Sequence, residues 1–350
     1  MISQPTDIEP QTGKVVISGE KPDFSSSTMI THPLRLEAIF IGSIAANRSF
    51  NQERIGQVHS VFRRAFNVLI SDNQLISIVR RDVGKGPINI VTNLPQYRSM
   101  TSIGIRRKYE VLKVDDLIIV GNNVLIISTK NAKQWRPRKE FRGNLLTIKK
   151  MRDNLMVMKE VACSHGHFDG LGQLIKYTED EHLEKFITKK LNLFARMALP
   201  HISRLLKAIK AGSSQDIKRS AKKLIGFGPG LTPSADDMLS GLMTSLALIA
   251  ENLDVNMNFV SKVNKDIASC IPGRTALISQ EFLMHAVAGE ANEPIITLIE
   301  KILTAKPNEV ENAAKEVLAI GDISGTDIVL GILLGSQLLL DEAQYLDKNI

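Results

Sequence analysis

Residues 226–237 read Gly-Phe-Gly-Pro-Gly-Leu-Thr-Pro-Ser-Ala-Asp-Asp. Gly226, Gly228 and Gly230 fall within five residues, too dense in glycine to open an ordinary helix. The next residues can open one. Thr232 suits the N-cap, and Pro233 suits the first helical position, where no N–H is needed. The apolar run Met238 to Ala250 then supplies the body of a helix. The stretch predicts a glycine loop feeding the N-terminus of a buried helix. Free amides and the positive end of the helix dipole favour an anion there. Gly226, Gly228, Gly230, Thr232 and Ser234 are therefore substrate-binding candidates. Asp236 and Asp237 add two carboxylates for a hard cation such as Mg²⁺. No Gly-Lys-Ser/Thr comes after the loop, and no clear strand precedes it. Neither a P-loop nor a dinucleotide fingerprint is present. A plain connector, with acidic residues suited to the dipole, is the alternative.

The pattern recurs near the C-terminus. Ser324-Gly325-Thr326-Asp327 followed by Gly331 matches Ser234-Ala235-Asp236-Asp237 followed by Gly241. Both read Ser-x-x-Asp-x-x-x-Gly, each after a glycine and before an apolar helix. Ser324 and Asp327 have capping-box spacing, with Asp in the place of Glu. Gly241 and Ser245 are four apart, as are Gly331 and Gly335. Small residues at that spacing share one helix face and let another backbone approach. Two buried helices packed along these faces are expected, with Asp237 and Asp327 as paired inward groups. Coincidence in an Ala/Gly/Leu-rich region is the competing reading.

These residues carry a resemblance. The long glycine motif, with Gly321-Asp322-Ile323-Ser324-Gly325-Thr326-Asp327, resembles the AllH-like family. Val58-His59-Ser60-Val61-Phe62 with Asn67-Val68-Leu69, and Trp135-Arg136-Pro137, also fit. The family often has Gly where this chain has Ala235, and His where it has Asp322. The resemblance implies a subunit of an oxamate carbamoyltransferase system of anaerobic allantoin breakdown, working with an FdrA-like subunit and one further subunit. Such a system moves a carbamoyl group between oxamate and phosphate. It also makes His59 a candidate catalytic residue beside Asp236, Asp237 and Asp327.

Composition agrees with a globular enzyme subunit. The chain has 350 residues, 43% hydrophobic and 23% charged, which suggests two domains and a large core. Two cysteines, Cys163 and Cys270, do not make a disulfide framework. No basic patch with a following apolar core is seen at the N-terminus, so no signal peptide is expected. The apolar runs near 241–250 and 328–340 read as too short and broken to span a bilayer. A cytoplasmic protein is expected, without membrane association. Net charge is +7. Its basic clusters are dispersed through the first half with few aromatics, which predicts solvated faces rather than a nucleic-acid groove.

Residues 1–33 read as a polar arm. From 34 to 150 the pattern is β: Val58 to Ile70, Gln74 to Arg81, Ile88 to Thr92, Tyr109 to Val114, Leu117 to Val120 and Val124 to Thr129 are short β-prone runs. Turn signals separate them, among them Ser71-Asp72-Asn73, Asp115-Asp116 and Gly121-Asn122-Asn123. After Met151 helical patterns take over, at 179–198, 200–211, 214–224, 233–251, 256–270, 275–288, 294–304, 308–319 and 325–341. The fold class is α+β: a small β-barrel or sandwich, then an all-helical domain at 151–350 carrying the glycine loop.

Cys163-Ser164-His165-Gly166-His167-Phe168-Asp169 holds metal-competent side chains, but lacks the further spaced ligands of a complete site, and reads as a structural loop. His59 is a packed or surface histidine unless it touches substrate. Arg274, after Pro272-Gly273, can grip a carboxylate or lie solvated. With Ser324 and Thr326 it completes the substrate-binding set. The whole reads as a carbamoyltransferase subunit for phosphate, carbamoyl phosphate or oxamate-like anions, in a hetero-complex. A non-catalytic scaffold or regulatory subunit that binds a small anion is the second reading.

Overall fold

The computed structural model describes residues 33–49, 53–70, 73–141, 144–178 and 191–347. The polar arm at 1–32, Ser71-Asp72 of one expected turn, and 179–190 of one expected helix lie outside them. The chain is α+β, with strands between Leu34 and Trp135 and helices dominating from Ile148 onward.

Nine strands form one sheet: β1 (Leu34–Gly42), β2 (Arg54–Val61), β3 (Ala65–Leu69), β4 (Leu75–Arg80), β5 (Asn89–Thr92), β6 (Glu110–Val114), β7 (Leu117–Val120), β8 (Leu125–Ser128) and β9 (Lys133–Trp135). Eight of the nine close into a barrel, because β1 pairs with both β5 and β8. Closure removes the edges an open sheet would expose. The short β9 continues beyond β8 along β1. The expected run from Val58 to Ile70 is in fact a hairpin: β2 and β3 turn at Phe62, whose amide donates to Ala65 O. Alternation puts Phe66, Val68, Ile76, Ile78 and Ile90 into one apolar core. The expected turns use left-handed backbone at Asp115, Asn122 and Asn123, a conformation Asp and Asn tolerate.

Among the described residues there are ten helices: α1 (Ser43–Ser49), α2 (Ile148–His165), α3 (Leu193–Lys210), α4 (Ser214–Leu224), α5 (Ser234–Leu253), α6 (Met257–Ala268), α7 (Leu277–Ala286), α8 (Glu293–Thr304), α9 (Pro307–Leu318) and α10 (Ser324–Asp347). Three differ from expectation, the first being the short α1, which interrupts a stretch read as β. Helix α3 runs unbroken through Pro200, where the sequence suggests a break between two helices. Helix α2 is absent from the expected elements, although Met151, Leu155, Met158 and Ala162 line its buried face at helical spacing.

Helices α5 and α10 form the centre of the helical region. Almost every residue of α5 up to Ala250 is buried, so this helix is covered by protein on all sides. The Ser324–Ala343 stretch of α10 is long and apolar enough to cross a membrane, yet 78% of its span is buried inside the protein. It is a core helix. Glu281 of α7 joins the helices to the barrel, accepting from the Leu75 amide at 2.8 Å and from Arg48 Nη1 at 3.0 Å.

Candidate functional site

The two glycine-led helices pack directly on one another. A Cβ on Gly241 would collide with the Ile328 carbonyl, and one on Gly331 with the Met238 carbonyl. Gly335 faces Ser245 and Leu242 in the same way. Contacts advance together along both helices, so the helices run parallel and their N-termini share one end. At that end Thr232 Oγ1 lies 3.1 Å from Ser324 Oγ.

The glycine loop caps α5 differently from expectation. Pro233, not Thr232, holds the N-cap position, and the helix begins at Ser234. The first amides are not free. Ser234 N donates to Pro229 O, Ala235 N to Phe227 O, and Asp236 N and Asp237 N to Pro233 O. The curled loop satisfies them itself. Left-handed backbone at Gly226, Gly228 and Gly230 makes that curl. The unpaired amides lie one step earlier: among the described residues, those of Gly228, Gly230, Leu231 and Thr232 donate to no protein group. The α10 start repeats the scheme, with Gly325 N on Ile320 O and Thr326 N and Asp327 N on Ile323 O.

Two carboxylates sit between the loops. Thr232 Oγ1 donates to Asp237 Oδ2 at 2.8 Å. Asp327 Oδ1 accepts from the Leu171 amide at 2.8 Å, so it does not form the capping box its spacing suggested. Asp327 Oδ2 and Ser234 Oγ are both buried and have no hydrogen-bond partner among the described residues.

Sequence reasoning missed what covers this pair. The segment after α2 folds over the start of α10. Its His167 amide donates to Thr326 Oγ1 at 2.9 Å. A Cβ on Gly170 would collide with both the Asp327 carboxylate and the Ser234 hydroxyl, and one on Gly172 would crowd Thr326. Asn192, the N-cap of α3, fixes the segment by donating to Phe168 O at 2.7 Å and Gly170 O at 2.8 Å. The segment acts through its backbone; the His165, His167 and Asp169 side chains are exposed. The signal was its glycines, Gly166, Gly170 and Gly172, rather than its metal-competent side chains.

Asp236 points elsewhere. Its Oδ1 accepts from the Gly226 amide at 2.8 Å and its Oδ2 from the Thr275 hydroxyl. Asp236 and Asp237 therefore bond to different protein groups, Asp236 to Gly226 and Thr275 and Asp237 to Thr232. Among the described residues no three His, Cys, Asp or Glu side chains converge as metal ligands. Arg274 is not joined to the pair either. Its carbonyl abuts Gly226, while its side chain lines a separate basic cleft. His59 lies on the barrel. It occupies a bulge in β2, its ring Nδ1 lies 3.2 Å from Ser60 Oγ, and its carbonyl accepts from Arg107. Thr326 anchors the covering segment.

The family model described as oxamate carbamoyltransferase subunit AllH matches residues 224–336, which contain both glycine-led loops and the parallel helix faces. The model for the AllH family N-terminal domain matches residues 37–134, the barrel. The chain belongs to the AllH-like family. No solved structure matches it.

Within this AllH-like site, burial governs the charges. It pushes Asp237 up to about 7, with the Asp327 and Asp236 charges adding and the Ser324 and Thr232 hydroxyls opposing. It also pushes Asp327 up to about 7, against the Ser234 hydroxyl and the Leu171 and Gly172 amides. The Ser234 dipole favours the anion although the pair falls outside hydrogen-bond geometry. Asp236 is raised by burial too, with Thr275, Gly226 and Ser279 opposing. Near neutral pH, Asp237 and Asp327 can each hold or release a proton, as general acid–base chemistry requires.

Proposed function

We propose that this chain is a carbamoyltransferase subunit acting on oxalurate, oxamate, carbamoyl phosphate and phosphate in allantoin-derived nitrogen catabolism. One observation carries the reading. Two repeated helix starts place Asp237 and Asp327 together, both with pKa near 7, beside a loop of unpaired amides. Carboxyl groups that titrate near neutrality are suited to proton transfer.

In the proposed reaction a phosphate oxygen attacks the carbamoyl carbon of oxalurate. The C–N bond to oxamate breaks, and the carbamoyl group leaves on phosphate. Amides of Gly228, Gly230, Leu231 and Thr232 hold the anionic substrate and the developing oxyanion. Asp237, tied to Thr232 and beside Ser324, gives its proton to the departing oxamate nitrogen. The proton released by phosphate returns to Asp237, whose carboxyl is held up by burial and by the charge of Asp327, itself buried beneath the Gly170 segment beside Ser234. Asp236 holds the loop in shape through Gly226 and Thr275.

An FdrA-like subunit and a further subunit complete the proposed enzyme. The test is co-purification with those subunits, followed by a carbamoyl phosphate assay of every combination. Activity that requires this chain and falls with Asp237→Asn supports catalysis. Activity that requires the chain but is unchanged by Asp237→Asn assigns it a scaffold role instead.

A further inference from the structure

We propose a second anion site in a basic cleft beside the glycine loop, built to take a compact ligand with two or more phosphoryl groups. The cleft has a volume of about 520 Å³ and is lined by Gln215, Lys218, Arg219, Lys222, Lys223 and Arg274. Five of those six residues are cationic. None of Gly228, Thr232, Asp237, Ser324 or Asp327 lines it, so it is separate from the proposed reaction site.

The sequence of α4 makes this face. Lys218 and Lys222 are four apart, as are Arg219 and Lys223, so both pairs project from one side of the helix. Ile217, Ala221 and Leu224 face the core. Arg274 comes from the turn between α6 and α7 and completes the cluster.

Charge balance is the deciding observation. Lys218 is paired with Asp266 at 3.1 Å, and Arg219 with Asp216 at 2.6 Å. Among the described residues Lys222, Lys223 and Arg274 have no anionic partner. Like charges gathered in one concavity repel, and that repulsion is relieved when an anion binds. The field extends to His201, which burial first, and then Arg204 and Lys223, hold below the usual histidine range.

The lining also defines the ligand. No aromatic ring lines the cleft, and only the Arg219 and Arg274 planes offer a base a stacking face, so charge dominates its recognition. Three unpaired cations match a ligand with several charges better than a single phosphate. The ligand is therefore a polyphosphate group, either free or as the tail of a nucleotide. The cleft also touches the glycine loop. The Arg274 carbonyl abuts Gly226, and the neighbouring Thr275 hydroxyl bonds Asp236.

Titration calorimetry of the full chain at near-physiological salt tests this with tripolyphosphate, ATP and orthophosphate. The expected result is saturable one-to-one binding of tripolyphosphate, weakened at least about tenfold in Lys222→Gln/Lys223→Gln, the loss of about 1.4 kcal/mol. Asp237→Asn should bind it as the parent does, which separates this site from the reaction site. ATP binding equal to tripolyphosphate identifies a phosphate tail; ATP binding more weakly identifies a free polyphosphate. Both support the proposal. Absence of saturable binding, equal affinity in the double variant, or orthophosphate binding as tightly as tripolyphosphate would overturn it. So would tighter binding of a single-stranded oligonucleotide, which would make the cleft part of a nucleic-acid surface.

Discussion

Thr232 Oγ1 and Ser324 Oγ lie 3.1 Å apart although 92 positions separate them in the chain. The contact ties together the starts of two parallel helices that share the Ser-x-x-Asp-x-x-x-Gly pattern. It also holds Thr232 where its hydroxyl reaches Asp237. The glycines further along are what allow this. At Gly241 and Gly331 each helix backbone rests on the other, so the two N-termini meet.

That close approach gives a stability prediction. Alanine is the better helix former by about 1 kcal/mol, yet Gly331→Ala should destabilise, because its Cβ meets the Met238 carbonyl and backbone cannot swing aside. Overpacking of this kind costs about 1–3 kcal/mol. Urea unfolding of the variant measures it. An unchanged or raised midpoint would show that the helices are not in backbone contact there.

The raised carboxyls predict a pH dependence. Asp237 and Asp327, both pushed to about 7, bind protons in the folded state that the unfolded chain has released above about pH 4. The folded state is therefore favoured at low pH, and this contribution is lost as pH rises through 7. Asp237→Asn/Asp327→Asn should remove the slope and be the more stable protein at pH 8, by about 1 kcal/mol or more. Urea midpoints from pH 5 to 8 report it. Parallel curves for parent and double variant would contradict the assignment.

Glu281 should behave in the opposite sense. Burial alone would raise its carboxyl, but His285, the Leu75 amide and Arg48 together hold it below the usual range. Its contribution is present above the unfolded carboxylate value and is lost as pH falls through the folded one. Glu281→Ala leaves Arg48 and the Leu75 amide without this partner and should cost about 3–5 kcal/mol. A change under about 0.5 kcal/mol in urea unfolding would show that Glu281 does not secure the barrel to the helices.

The covering segment gives a local prediction. In Gly170→Ala the new methyl group collides with Asp327 and Ser234, so the segment must lift. Hydrogen exchange at the His167 and Leu171 amides, which donate to Thr326 and Asp327, should quicken while the rest of the helices stays protected. Unchanged exchange at both amides would mean that the segment does not rest on the pair.

Much of this was legible in the sequence. Strand-prone runs separated by Asp, Asn and Gly turns announced a small barrel or sandwich. The repeated Ser-x-x-Asp-x-x-x-Gly announced the helix pair, because the pattern is local and the helices pack through it. Other features depend on contacts distant in sequence. Barrel closure rests on β1, which must find both β5 and β8. Cover over Asp327 comes from Gly170, 157 positions earlier, and no spacing rule connects the two. The divergence of Asp236 from Asp237 was foreseeable from the 100° step between helical neighbours. The partner that claims Asp236, Thr275, was not. Capping misled for a physical reason: a loop with three glycines can turn its own carbonyls onto the helix start, which leaves Thr232 free to serve a carboxylate instead.

Everything proposed for the reaction turns on Asp237 taking part in carbamoyl transfer. The decisive experiment is turnover of oxalurate and phosphate to carbamoyl phosphate by the reconstituted complex, comparing parent with Asp237→Asn. If Asp237 supplies the proton, kcat falls by at least about 100-fold, the scale of a general acid, with assembly and circular dichroism unchanged. A variant that assembles, folds and turns over at the parent rate would rule out that role.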